Sequence, residues 1–347
     1  MPIHRSIPSR LAPGVVMVVA LVLNLATCSS PSPTPVPSTS AEPSREPLRE
    51  VRLLLGFRPD VQFAPFYLAQ QAGHFADEGL QVSIEHSNDT IRLVADGQAQ
   101  FGVADATDIM IGRTAGIPIR YVSTLYERFP VALIGARGAL PADPRGLAGR
   151  TIGTPGRFGS SWHALLALLD AGGLTADDVT IREYPQFNQA EGLLNGDVDL
   201  ITGFRNNEPI QLAQRGYQAG LITLDQVAPL PGPGVVVGDE LLAAEPQLVE
   251  AFTRAVASAQ AAVIDDPELG LAAAREAVPA IGEDPETAAA VLDATAALWA
   301  GSGGFAEGRI DIERWRDAYQ LMQRLGFIDG SVPVEEMIAP EVRGEAP

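Results

Sequence analysis

The sequence predicts an α/β fold of two similar lobes, with a ligand cleft between them and two hinge crossings. Three observations carry that expectation. Short apolar β-type runs alternate with amphipathic helical patterns from residue 51 onward. One strand-helix-strand plan occurs twice, about 100 residues apart, too long a period for a solenoid. Pro and Gly cluster where the two halves would join.

Taken in order, the predicted strands are 51–57 (VRLLLGF), 80–85 (LQVSIE), 101–104 (FGVA), 119–124 (IRYVST), 131–136 (VALIGA) and 151–154 (TIGT), followed by 179–183 (VTIRE), 198–204 (VDLITGF) and 220–224 (GLITL). Such βα alternation argues for largely parallel sheets. Between strands, residues 160–171 place Trp162, Leu165, Leu166 and Leu169 on one helical face at spacings of three and four. The duplicated plan pairs LQVSIEH and LVADGQAQFGVAD with VTIREYP and LLNGDVDLITGF, each helix stopping at a glycine, Gly97 or Gly196. After residue 237 the pattern is helical, with one stripe of Leu248, Phe252, Val256, Ala259 and Val263 and another of Ile312, Trp315, Tyr319 and Met322. The expected organisation is lobe 1 at 50–137 plus 234–330, lobe 2 at 138–233, crossings near 131–140 and 229–238, and a poorly ordered tail at 331–347.

Composition limits the function. Of 347 residues 46% are apolar, and 43 acidic against 24 basic side chains give a net charge of -19. Nucleic acid is therefore not an expected partner, because phosphate backbones are held by basic surfaces. The chain contains no lysine, which excludes Schiff-base chemistry and a Walker lysine. Its one cysteine excludes an intramolecular disulfide and a cysteine-rich metal site.

Residues 1–27 carry Arg5 and Arg10, no acid and a mostly apolar run ending Leu25-Ala26-Thr27-Cys28. This stretch resembles a bacterial lipoprotein signal, which implies a lipidated Cys28. The alternative, an uncleaved anchor, meets a run shorter than the ~20 residues that span a bilayer, broken by Pro13, Gly14 and Asn24. Residues 28–49 then read as the lipidated cysteine and a Pro- and Ser-rich tether. At ~3.1 Å per residue the extended segment reaches roughly 60 Å.

Ligands of α/β sheets bind beyond the carboxyl ends of strands. Four segments lie there: 60–67, 105–108, 154–162 and 204–208. Residues 153–161, with three glycines and two serines before a helix, offer amides and a helix dipole to a carbonyl or anion, or serve only as a capped helix start. Phe63, Phe66, Tyr67, Tyr126, Phe158, Trp162, Phe187 and Phe204 supply flat faces that suit a planar heteroaromatic ligand, with core packing as the other reading. Phe63 and Phe158 are the favoured stackers. Gln62, Asp105, Asn206, Asn207 and Glu208 can pair with the polar edge of a ring, whereas Asn207 could instead cap the helix that begins at Glu208 and Pro209. Arg157 and Arg205 fit either ligand oxygen or interlobe ion pairs. His74, His86 and His163 stand singly, and neither a metal-ligand His pair nor a G-x-S-x-G elbow is present, so no catalytic residue and no metal site is expected.

The segments RPDVQFAPFYLAQQAGHFADEGLQV (58–82), LVADGQAQFGVAD, GTPGRFGSSWHALLALL (153–169) and FRNNEPIQL (204–212) together resemble the solute-binding proteins of ABC importers for thiamine pyrimidine precursor, alkylsulfonates and riboflavin. The likeness covers roughly residues 51–237. VQFAPFY, LYERFP, GTPGRFGSSW and GFRNNEP look most like its riboflavin-binding branch. The resemblance implies a two-lobed periplasmic-binding-protein fold of type II. It also implies a monomeric, extracytoplasmic, lipid-anchored subunit that passes riboflavin, or the pyrimidine precursor, to a permease and ATPase. Gln62, Phe63, Tyr67, Asp105, Tyr126, Phe158, Ser160, Trp162, Phe204, Asn207 and Glu208 are the ligand-contact candidates. Riboflavin would be cargo, and no cofactor is expected. Fungal enzymes that make the thiamine pyrimidine share the fold, but they carry a cofactor-linking lysine and a cysteine-rich iron motif that this chain lacks.

Overall fold

The computed structural model describes residues 47–301 and 307–343, apart from positions 226 and 229. Cys28, residues 1–27 and most of the tether lie outside the described residues.

The chain begins with β1 (Arg49–Leu55), α1 (Ala64–Gln71), α2 (His74–Asp77), β2 (Leu80–His86), α3 (Thr90–Ala95), β3 (Phe101–Ala104), α4 (Ala106–Thr114) and β4 (Ile119–Thr124). It continues through β5 (Val131–Ala136), β6 (Thr151–Thr154), α5 (Gly159–Ala171), β7 (Thr180–Glu183), α6 (Gln189–Leu194), β8 (Leu200–Phe204), α7 (Glu208–Gln214) and β9 (Ala219–Thr223). The return is β10 (Gly234–Gly238), then α8 (Asp239–Ala244), α9 (Pro246–Asp265), α10 (Pro267–Ala277), α11 (Pro285–Ala300) and α12 (Ile312–Arg324).

These strands form two five-stranded sheets, ordered β2-β1-β3-β10-β4 and β7-β6-β8-β5-β9. In each, four strands run in one direction and the strand at the fourth position, β10 or β5, runs antiparallel to them, so the sheets are mixed rather than wholly parallel. The duplication is thus real at the level of topology. It extends to single hydrogen bonds. After α3, Gly97 N–H donates to Val94 O and Gln98 N–H to Leu93 O; after α6, Gly196 N–H donates to Leu193 O and Asp197 N–H to Gly192 O. Gly97 and Gly196 hold φ of 70° and 74°, the left-handed conformation this helix stop requires.

Two boundaries differ from the sequence expectation. Val131–Ala136 belongs to lobe 2, where it lies between β8 and β9, so the first crossing falls in residues 125–130 and not at 137. Residues 234–238 are a paired strand of lobe 1 rather than a bare connection. The GPGVVVG run reads as a hinge because of its flanks, yet Val235, Val236 and Val237 are wholly buried between β3 and β4. Each lobe therefore receives its antiparallel strand directly from a crossing.

The expected loose tail is also corrected for residues 331–343. Tyr121 N–H donates to Met337 O and Ala339 N–H to Tyr121 O, which ties this segment to the edge of β4. Val334, Met337, Ile338, Ala339 and Val342 are apolar and buried there, which outweighs the prolines that suggested disorder.

The helical stripes pack as their spacing predicts. Leu248, Phe252, Val256, Ala259 and Val263 join the core under β1 and β3, with Phe252 stacked on Phe101 at 3.7 Å between centroids. Trp315 and Met322 enter a second cluster that runs from β4 and α4 to α5 and β8, so the lobes share apolar contact on this side.

Candidate ligand-binding cleft

The carboxyl ends of β1 and β3 in lobe 1 face those of β6 and β8 in lobe 2, and polar side chains bridge the gap. Asp60 starts a single 3-10 turn at Val61–Phe63, its Oδ1 accepting from Gln62 N at 3.1 Å and Gln62 Nε2 at 3.0 Å. That turn fixes Gln62 so that its Oε1 accepts from Asn206 Nδ2 at 2.7 Å across the lobes. The same Asn206 nitrogen donates to Thr295 Oγ1 of α11 at 2.7 Å, while Asn206 Oδ1 is buried without a partner.

A second bridge joins the starts of two helices. Asp105, at the N-terminal cap position of α4, accepts from Ser160 N–H of α5 at 3.1 Å. Beside it, His163 Nδ1 lies 2.9 Å from Thr107 Oγ1 and 3.7 Å from Asp108 Oδ1. Burial pushes Asp105 upward and Asp108 up to about 8, the latter helped by the Asp105 charge, and burial lowers His163 to about 4. Thr107 and Asp108 both address the same imidazole nitrogen, so this trio is not a relay, which needs one partner on each nitrogen.

Glu208 closes the lobe 2 wall. Its carboxylate accepts from Phe204 N–H at 2.8 Å and from Gln189 Nε2 at 3.1 Å, and burial raises it to about 7. Asp60 is likewise raised by burial. Asn207 does not cap its helix; its Oδ1 accepts from Gln211 Nε2 at 2.7 Å.

The aromatic candidates separate by depth. Phe158 is 58% exposed at the start of α5, and Phe63 and Phe204 are half-buried. Phe63 meets His86 edge-on at 5.5 Å, and Tyr126 meets Phe204 at 6.5 Å. Tyr126 OH lies 3.5 Å from Gln62 Oε1, which keeps it beside the first bridge. Tyr67 and Trp162 sit deeper: the first contacts His86 Nε2 through its hydroxyl at 3.3 Å, and the second lies beneath the Arg157 guanidinium at 5.1 Å. Phe57 of lobe 1 and Phe187 of lobe 2 meet edge-on at 5.1 Å, both at positive φ. Arg157 and Arg205 form ion pairs within lobe 2 rather than between the lobes, with Glu183 at 3.2 Å and Asp225 at 2.8 Å.

Sequence reasoning overlooked Thr295, Gln189 and Phe57, and marked Asp108 only as the end of the 105–108 segment. Thr295 carried a usable signal as a hydroxyl within the apolar run of α11; the others depend on which strand ends face one another. Among the described residues no group of three or more His, Cys, Asp or Glu could hold a metal.

Comparison with known proteins completes the description. A model of the family described as NMT1/THI5 like matches residues 60–269. The riboflavin-binding protein RibY of Chloroflexus aurantiacus is 30% identical over 335 residues, 93% of this chain and 95% of that one. The 4-amino-5-hydroxymethyl-2-methylpyrimidine phosphate synthase of Aspergillus parasiticus is 26% identical over 234 residues, 63% of this chain and 68% of the enzyme. The periplasmic aliphatic sulphonate binding protein SsuA of Escherichia coli superposes with a TM-score of 0.66 at 13% identity, covering 84% of this chain and 92% of its own. That likeness establishes the periplasmic-binding-protein fold.

Proposed function

This chain belongs to the NMT1/THI5-like family, and from its cleft we propose that it is the extracytoplasmic ligand-capturing subunit of an ABC importer, with riboflavin as the ligand. The observation that carries the reading is the pair of interlobe bridges, Gln62 to Asn206 and Asp105 to Ser160, set among Phe63, Tyr126, Phe158 and Phe204. A binding protein needs contacts that form only when its lobes meet, because only contacts that differ between open and closed states drive closure. The aromatic side chains provide stacking faces for a flat ring. The near full-length similarity to a riboflavin-binding protein supports the choice of ring.

In this reading Cys28 is lipidated, residues 29–48 tether the folded body, and a permease and ATPase receive the closed monomer. Catalysis is not part of the reading. The chain has no lysine, and the buried His163 has both its polar neighbours on a single nitrogen.

Titration of riboflavin with purified protein tests the proposal. Stoichiometric quenching of flavin emission is expected, and unchanged emission at micromolar protein overturns the ligand assignment. A second reading, the thiamine pyrimidine precursor, draws on the synthase relatives. A rise in melting temperature with that pyrimidine and none with riboflavin selects it.

A further inference from the structure

We infer that Asp105 sets the charge selectivity of the cleft: its carboxylate takes the positive end of α5, so the closed protein admits a ligand rich in hydrogen-bond donors and rejects an anionic one. The inference rests on the proposed binding role and specifies the class of ligand.

Two helix N-termini meet at this point. α4 starts immediately after Asp105 in lobe 1 and α5 starts at Gly159 in lobe 2. Each carries roughly half a positive charge with unpaired amides, the usual setting for an anion. Here the protein supplies the anion itself, through the 3.1 Å bond from Ser160 N–H to Asp105 Oδ2. Gly159 holds φ of 66°, and a Cβ there would stand 3.7 Å from Asp105 Oδ2 and 4.0 Å from Asp108 Oδ2. Both carboxylates therefore converge on the first residue of α5.

A phosphate or sulfonate at the start of α5 would occupy the place that the Asp105 carboxyl group must reach on closure, and would displace it from Ser160 N–H, the contact that joins the two helix starts. Two neighbouring arginines are paired with carboxylates, Arg157 with Glu183 and Arg205 with Asp225, and the charge of Arg58, which lies over the Phe57 ring at 5.2 Å, acts on Asp60 and Glu208.

An independent observation gives the complementary half. Asn206 Oδ1 and Gln189 Oε1 belong to side chains only 1% and 2% exposed, and both are acceptors without partners. Buried acceptors are rarely left unmade. Asn206 stands at the bridge to Gln62 and Gln189 beside Glu208, so a ligand N–H or O–H group that reached them would complete their hydrogen bonding.

The test compares riboflavin with flavin mononucleotide, which adds one phosphate to the same ring, on the full chain and on Asp105→Asn. The wild type is expected to prefer riboflavin by about tenfold or more, and Asp105→Asn to shrink that preference by about tenfold, the scale of one charge at a helix end. Equal wild-type affinities, or an unchanged ratio in a folded variant, overturn the inference. If neither flavin binds, the ligand proposal fails separately, and inorganic sulfate and phosphate then serve as probes. A melting-temperature rise with these anions in Asp105→Asn but not in wild type upholds charge selectivity, and the same response in both proteins refutes it. The wild-type comparison needs no variant, so a misfolded substitution does not leave the question open.

Discussion

At the residue scale, Asn206 couples the lobes most directly, since its one amide nitrogen serves both Gln62 and Thr295. Asn206→Ala removes the donor from Thr295 Oγ1 and leaves Gln62 Oε1 with only the longer contact from Tyr126 OH, and a lost hydrogen bond of this kind costs about 1–3 kcal/mol when its partner stays buried. Flavin affinity is expected to fall by about tenfold or more, read by the same emission titration; an unchanged Kd would show that the bridge does not contribute to the bound state. Glu208 gives a pH prediction. Its folded value of about 7 lies above the ordinary 4.5, so its contribution to stability is fully present below pH 4.5 and is lost as pH rises through 7. Glu208→Gln is expected to flatten the fall in melting temperature between pH 5 and 7. His163, lowered to about 4 from 6.5, acts in the opposite direction over pH 4 to 6.5. The comparison of variant with wild type isolates the glutamate; identical pH profiles would contradict its role.

At the element scale, β10 and the 331–343 segment are the parts that sequence patterning misjudged, and the cause is the same. Both are short, carry Pro or Gly signals, and form structure only by pairing with distant strands, β10 with β3 and β4 and the C-terminal segment with β4. β1 to β4 were legible because their apolar runs are bounded by turns in the sequence itself. Gly234 shows how tightly β10 fits: a Cβ there would collide with the Tyr121 ring and with Ser123 O. Backbone cannot yield as a side chain can. Gly234→Ala is therefore expected to destabilise by about 2 kcal/mol or more, at the upper end of ordinary single substitutions, measured by urea unfolding. Removal of residues 333–347 should lower the melting temperature by several degrees, since it uncovers Met337 and Ile338 contacts and the edge of β4. A truncated protein that melts with the intact one would restore the reading of a loose tail.

At the scale of the whole molecule, the described residues link the lobes through the polar bridges, the shared apolar cluster reaching α12, the Arg324–Asp170 ion pair and the Phe57–Phe187 edge contact. A positive φ costs a non-glycine residue roughly 1–2 kcal/mol, so Phe57 and Phe187 hold their conformations against local preference. Phe187→Ala is expected to speed flavin release, seen as a faster recovery of emission in stopped-flow chase, more than it slows capture. Equal off-rates would remove the pair from the closure mechanism. Bound ligand at about 100 times its Kd should add roughly 2.7 kcal/mol to stability, visible as a higher unfolding midpoint.

The sequence by itself determined the fold class, the duplicated lobe plan, the helical stripes and the chain segments that reach the cleft, because apolar period, glycine stops and turn residues are local properties. Gly97 and Gly196 announce equivalent helix ends without reference to anything distant. Tertiary structure alone decided which lobe owns Val131–Ala136, how Gln62 meets Asn206, and that Ser160 N–H at the start of α5 meets the Asp105 carboxyl group. Those outcomes depend on pairing across 144 and 55 residues of chain. No local pattern encodes a partner at that distance, since a strand edge or a buried acceptor is satisfied only by what the other lobe brings to it.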